Sequence, residues 1–197
     1  MTDEERWAGK FGDEYHERND MIPRRWDFWC EFYKKYSCEK VLEVGCGRAS
    51  NLLFMPSEII GYGIDVNWDA IYEARRLDEI NPIYGCATDI PFKDNFFDLV
   101  FTCGLLIHIP PDDLLRVMSE MVRCSRKYVM MMEYAAEKEE KIKYREGVGL
   151  WKRPYKDLFF SSFSRSCYIK KWQCIDEGYL GKDDGFDNIT WWLFERK

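Results

Sequence analysis

An apolar run that breaks at paired glycines constrains this chain most: Val41-Leu42-Glu43-Val44-Gly45-Cys46-Gly47-Arg48-Ala49-Ser50-Asn51. A strand of this kind, entering a tight turn and then a helix over Arg48–Phe54, opens a β-α unit whose glycines leave bare backbone for a bulky ligand. The alternation continues. Ile59–Val66 reads as a second strand, and Asn67 caps the next helix, whose Ala70, Ile71, Ala74 and Leu77 form one stripe. Pro82–Ala87 and Phe97–Cys103 follow as strands, joined by a link too short for a full crossover helix. Pro110 and Pro111 open a helix with Leu114, Leu115, Val117, Met118, Met121 and Val122 on its buried face, and Tyr128–Glu133 is the fifth strand. After a long polar stretch come a helix near Tyr155–Ser164 and two last strands, Tyr168–Glu177 and Ile189–Glu195. Seven strands alternating with helices predict an α/β fold: a mostly parallel sheet, helices on both faces, and antiparallel pairing only at the end. Ligands of such sheets bind at the carboxyl ends of the strands, near the switch point.

The first 36 residues differ in character, with aromatics from Trp7 to Tyr36 that recur at helical spacing between Pro23 and Tyr36. The expected organisation is an N-terminal helical segment over 1–36 and a ligand-binding domain over 37–197, one compact unit together. At 197 residues and 46% hydrophobic content the chain is long and apolar enough for a single core. A net charge of −6 gives no bulk attraction to phosphate backbones, so nucleic acid is a poor default partner, a local basic patch aside. No apolar run approaches the roughly 20 residues that span a bilayer, and MTDEERWAGK lacks the apolar core of a signal peptide. The eight cysteines are scattered with no CxxC pair, which argues against zinc and disulfides. Reduced thiols, a cytoplasmic location, no metal and a small-molecule partner are the expectation.

Three acids stand at successive strand ends. Glu43 precedes Gly45 by two residues. Asp65 ends the second strand, placed for both hydroxyls of a ribose. Asp89, in Ala87-Thr88-Asp89-Ile90-Pro91, is placed for an adenine amine, with the Ile90 backbone on a ring nitrogen and its side chain on the ring. Dinucleotide loops usually carry a third glycine to seat a pyrophosphate on the helix N-terminus, and Arg48 with Ala49 fit that poorly. An adenosine bearing an amino acid needs no such seat, so S-adenosyl-L-methionine (SAM) is favoured over NAD. Cys46 and Gly47, Val66 and Cys103 lie at these same strand ends and complete the expected cofactor shell. A plain turn, a solvated loop acid and a turn acid before proline are the corresponding structural readings.

Glu43-x-Gly45-x-Gly47, Asp65, Thr88-Asp89 and Phe97-Asp98-Leu99-Val100 resemble the sequential motifs of class I SAM-dependent methyltransferases. A narrower resemblance, to the pseudaminic acid biosynthesis-associated methylases, covers nearly the whole chain. It rests on Trp7 to Asn19, Leu106-Ile107-His108-Ile109-Pro110, Glu133-Tyr134, Tyr144-Arg145-Glu146-Gly147, Trp151-Lys152-Arg153, and Asp183-Asp184 with Asp187 to Trp191. The resemblance implies a Rossmann-like class I methyltransferase fold. It also implies a lid formed by the N-terminal segment, from which Arg18 or Asn19 reaches the methionyl carboxylate. Tyr15, Arg18 and Asn19 share one face if that stretch is helical. A sugar or sugar nucleotide is the acceptor that the family's name suggests; Glu146 and Ala49 depart from the patterns.

An alcohol acceptor needs a base beside the methyl group. His108, after the fourth strand, is the first candidate; contact with cofactor or substrate, and support of an apolar loop, are its other readings. Glu133 and Tyr134 end the fifth strand beside the expected transfer point. Tyr144, Arg145, Lys152 and Arg153 suit an acceptor lid over an anion, or a solvated loop. His16 reads as a surface residue. No Asp/Asn-Pro-Pro-aromatic element follows the fourth strand and no Pro-Cys nucleophile is present, which sets aside DNA amino- and C5-methylation. Methyl transfer to a small hydrophilic acceptor leads. Cyclisation of SAM to azetidine-2-carboxylate and methylthioadenosine, and SAM binding without turnover, are the alternatives.

Overall fold

The computed structural model describes residues 2–18, 25–145, 148–163 and 172–197. Asn19 and Glu146 lie outside the described residues, as do the starts of the expected helix at Pro23 and strand at Tyr168. Two short helices, α1 (Asp3–Trp7) and α2 (Lys10–Arg18), precede α3 (Arg25–Lys35). Thr2 and Glu5 close a capping box at the start of α1. Then come β1 (Lys40–Val44), β2 (Ile60–Asp65), α4 (Trp68–Ala74), β3 (Ile80–Tyr84), β4 (Phe97–Cys103), α5 (Pro111–Cys124) and β5 (Ser125–Glu133). A hairpin of β6 (Glu140–Lys143) and β7 (Gly149–Lys152) leads to α6 (Tyr155–Phe163), β8 (Trp172–Leu180) and β9 (Ile189–Arg196).

Seven strands form one sheet in the order β3-β2-β1-β4-β5-β9-β8. The first five are parallel, and β9 runs antiparallel to both β5 and β8. The strand order reverses between β1 and β4, so a crevice opens above their carboxyl ends. Period-two alternation divides the core. Along β5, Val129 and Met131 face α5 and α6, whereas Tyr128, Met130 and Met132 face the other way, toward Trp29 and Phe32 of α3. α5 buries Leu114, Val117, Met118, Met121 and Val122 as expected, whereas Leu115, expected on the same face, is 53% exposed, and Asn67 caps α4 through the Ala70 amide.

Three local expectations change. The helix expected over Arg48–Phe54 is a run of turns ending in a short 3-10 segment, Leu52–Phe54. Gly47 (φ 52°) and Ala49 (φ 62°) are left-handed there and cannot continue a right-handed helix. β3 ends at Tyr84 rather than Ala87, because the chain turns back with the Asp89 amide on the Cys86 carbonyl. The polar stretch after β5 contains the β6–β7 hairpin, in which Val148 to Trp151 are buried.

Candidate functional site

Two cavities open above the switch point. The first, about 240 Å³, is floored by Gly45, Asp65 and Val66 and walled by Cys86, Ala87 and Thr88. Gly45 is left-handed (φ 74°) with Leu105 pressed against its Cα, so the loop between β1 and its turn lies flat beneath the cavity. Asp65 accepts from the Gly47 amide through Oδ2 and from the Asn67 amide through Oδ1, both at 2.8 Å. Opposite this floor lie Thr2, Asp3, Trp7, Tyr15 and His16 of α1, α2 and the residue before them. The His16 ring packs on the bare Cα of Gly47, and burial pushes its imidazole below the ordinary value.

The second cavity, about 560 Å³, is cationic in a chain of net negative charge: Arg18, Arg25, Arg145 and Lys182 line it, with Asp187 as the acid. Arg25 is fixed in place. Its Nε donates to Gly185 O (3.0 Å), its Nη1 to Asn51 Oδ1 (2.8 Å), and its guanidinium covers the Phe186 ring. Tyr134 donates its hydroxyl to Asp187 Oδ2 (2.8 Å) on the same wall as Tyr144. Arg18 pairs loosely with Glu14 (3.7 Å).

Tyr15, Cys103, Gly104 and His108 border both cavities. His108 stands between the Trp7 and Tyr144 rings, and its Nδ1 lies 2.9 Å from Gly149 O. A carbonyl only accepts, so Nδ1 carries the proton and Nε2 holds a lone pair. Burial pushes the imidazole down to about 4, so it is neutral near pH 7. Burial likewise raises Tyr15 to about 12, which keeps its hydroxyl protonated.

Several expected site residues lie elsewhere. Glu133 is fully buried below the 3-10 turn Leu106–His108, accepting from the Leu106 and Ile107 amides at 3.1 and 3.3 Å, and borders neither cavity. Its carboxyl faces the N–H groups of the turn that ends in His108. Glu43 is buried beneath the glycine turn, bound by Asn51 Nδ2 (2.6 Å), and the Cys46 thiol is buried against Gly63. The Asp89 side chain is exposed outside the first cavity. Ile90 is core, its amide held by Glu120 and its carbonyl by Arg123. The early end of β3 is the cause, since it presents Cys86 to Thr88 instead. Lys152 lies in β7 away from both cavities. Arg153, grouped with the lid cations, is fully buried, its Nη1 and Nη2 on the carbonyls of Leu106 and Ile109. Sequence reasoning missed Arg25 and His16; the one hid in an aromatic-rich stretch and the other in the charge run DEYHER.

Residues 41–127 match the family model described as a methyltransferase domain. Demethylmenaquinone methyltransferase of Bacillus mycoides (strain KBAB4) is 27% identical over 143 residues, 68% of this chain and 60% of that protein. The chain thus spans less than two thirds of the length of the curated relatives it matches. Among solved structures, Burkholderia thailandensis 1,6-didemethyltoxoflavin-N1-methyltransferase, with its substrate and S-adenosylhomocysteine bound, superposes with a TM-score of 0.73. It is 11% identical, and the match covers 98% of this chain and 87% of that one. Magnesium protoporphyrin IX methyltransferase from Synechocystis PCC 6803, with S-adenosylhomocysteine bound, gives 0.71 at 10% identity over 98% of both chains. Strand order, crevice and these likenesses agree: the chain has the Rossmann-like fold of class I, SAM-dependent methyltransferases.

Proposed function

We propose that the protein transfers a methyl group from SAM to a small hydrophilic acceptor. The observation that carries this reading is the meeting of two cavities at His108 and Cys103, one bordered by the acid ending β2 and the other rich in cations. In this reading the adenosine lies in the first cavity with its ribose on Asp65 and its base against Cys86 to Thr88. The methionyl arm passes Cys103 and Gly104, and its carboxylate meets Arg25, whose fixed fork suits a carboxylate. The segment of α1 and α2 is the lid.

SAM supplies an already activated methyl on a sulfonium, so the protein's work is alignment of the acceptor. The acceptor occupies the second cavity, where Arg145 and Lys182 favour an anion such as an acidic sugar or a sugar nucleotide. Neutral Nε2 of His108 takes the acceptor's proton as it attacks. A second cavity supports a separate acceptor over internal cyclisation of SAM. Scattered thiols, free at all seven described cysteines, support a cytoplasmic location. No helix among the described residues is long and apolar enough to cross a membrane.

S-adenosylhomocysteine at about 100-fold its Kd stabilises a folded state by about 2.7 kcal/mol. Thermal unfolding with and without that nucleoside is the test. A rise in Tm of roughly 5–10 °C is expected, and no rise at saturating concentration would sink the reading. Chromatography of turnover mixtures then identifies the nucleoside product: S-adenosylhomocysteine for transfer, methylthioadenosine for cyclisation.

A further inference from the structure

Asn67 follows the β2 acid by two residues, is 1% exposed, and has each of its side-chain polar atoms engaged. Its backbone N–H donates to Asp65 Oδ1 (2.8 Å), and its Oδ1 accepts from the Ala70 amide (2.7 Å) to cap α4. Its Nδ2 turns the other way. It donates to the Trp7 carbonyl at the end of α1 (3.1 Å) and to Asp13 Oδ1 in α2 (2.7 Å). Capping does not explain an asparagine, because aspartate or serine caps a helix as well. What only asparagine adds here is an amide with two N–H donors beside the capping oxygen.

Gly12 points to the same contact independently. It sits inside α2, where glycine weakens a helix. A Cβ there would lie 2.0 Å from the Trp7 carbonyl oxygen and 2.7 Å from Asn67 Nδ2. The bare Cα is what lets the two helices close on Asn67. Beyond that point the same segment delivers Trp7, Tyr15 and His16 to the wall of the first cavity.

We infer that Asn67 is a positioning residue that latches the α1–α2 segment to the loop carrying Asp65, so that covering the first cavity and orienting that carboxylate are one event. The inference rests on the reading of this cavity as the cofactor pocket. Its thermodynamic consequence is reciprocal: a ligand that holds Asp65 tightens the latch, and an intact latch raises affinity for that ligand. Asn67 touches no reacting atom, and its effect passes through Asp65 on one side and the cover on the other.

The test is a swap of partners. Asn67→Asp keeps the capping oxygen but loses both N–H donors and sets a second carboxylate against Asp13. Asp13→Asn together with Asn67→Asp rebuilds that hydrogen bond in the opposite direction. S-adenosylhomocysteine affinity is read by calorimetry, and trypsin cleavage after Arg6 and Lys10 is read without ligand. Asn67→Asp is expected to weaken binding on the order of 10-fold, about one lost hydrogen bond, and to speed cleavage of the N-terminal segment. The double variant is expected to recover part of both, because the Trp7 carbonyl still lacks its donor. If Asn67→Asp does not fold, Asn67→Ser, which caps without Nδ2, and Gly12→Ala carry the same expectations. Unchanged affinity and cleavage in a folded Asn67 variant, or a swap that restores neither, overturns the latch. Wild-type protein that fails to bind the nucleoside overturns the proposed function instead, and the cleavage rates alone then decide the latch.

Discussion

Glu133 and Arg153 hold the same turn from opposite ends: the carboxylate takes the amides of Leu106 and Ile107, and the guanidinium takes the carbonyls of Leu106 and Ile109. Both side chains are wholly buried, and His108 is the last residue of the turn between them. A 3-10 segment of three residues closes only a couple of backbone hydrogen bonds of its own, here from the His108 and Ile109 amides to the Leu105 and Leu106 carbonyls. Its shape, and with it the seat of the imidazole, is imposed by two buried side chains, on β5 and just beyond β7.

Arg153→Met removes both carbonyl partners while retaining much of the buried stem. The Leu106 carbonyl keeps the Ile109 amide (3.3 Å), so the Ile109 carbonyl is the buried acceptor left without its partner, at a cost of about 1–3 kcal/mol, which urea unfolding would read as a lower midpoint at unchanged slope. Because the first cavity keeps its floor, S-adenosylhomocysteine affinity is expected to fall less than methyl transfer does. Equal loss of both would detach the turn from the chemistry.

The hydrogen-bonding pattern of that turn explains how far the sequence could be read. The five parallel strands, the cap at Asn67 and the apolar face of α5 were legible because periodicity is local and strong. Asp65 was legible because a strand end fixes where its side chain goes. Glu133 and Arg153 were not. An acid at a strand end and a cation in a polar stretch look like surface chemistry until the turn that consumes them is seen, and that turn lies 27 and 47 residues away in sequence. Asp89 lies outside the first cavity for a related reason: β3 stops at Tyr84, and Cys86 to Thr88 form the cavity wall. Ala49 shows the converse. It lacks a glycine's backbone freedom yet adopts the left-handed conformation that a glycine would.

Burial raises the Glu43 carboxyl to about 8, against an ordinary 4.5. The folded chain keeps this proton to higher pH than the unfolded one, so unfolding releases it between those values. Folding stability therefore declines as pH rises from 4.5 through 8, by roughly 3 kcal/mol from pH 5 to 8 for this group. Glu43→Gln keeps an oxygen for Asn51 and cannot ionise. Its unfolding free energy is expected to lie flatter across that range than the wild type's, and parallel curves would contradict the buried, protonated carboxyl.

His108 titrates in the opposite sense. It is protonated below about 4 when folded, against an ordinary 6.5, so its contribution to stability is complete above 6.5 and declines as pH falls toward 4. The same shift keeps Nε2 free as a base through pH 6. A rate profile for methyl transfer is expected to show no acid limb near 6.5, with any loss due to this group below pH 5. His108→Gln is expected to lower kcat about 100-fold or more while leaving nucleoside affinity within a few-fold. An acid limb at 6.5, or an unchanged kcat, would remove His108 as the base.

Asp65 meets donors on each side: the Gly47 and Asn67 amides hold its two oxygens, and in the proposed complex the ribose hydroxyls take the remaining lone pairs. Asp65→Ala removes the acceptor for the ribose and leaves both amides to water. Hydrogen bonds to a charged group are worth about 1.5–3 kcal/mol, so affinity for S-adenosylhomocysteine is expected to drop about 30-fold or more. Asp65→Asn is the sharper variant. It has nearly the same shape, but its amide nitrogen must face a donor whichever way it turns, so its loss is expected to approach that of alanine. Calorimetry on both variants, with circular dichroism to show that each is folded, decides the matter. If asparagine bound as tightly as aspartate, the negative charge at the end of β2 would have no part in holding the nucleoside.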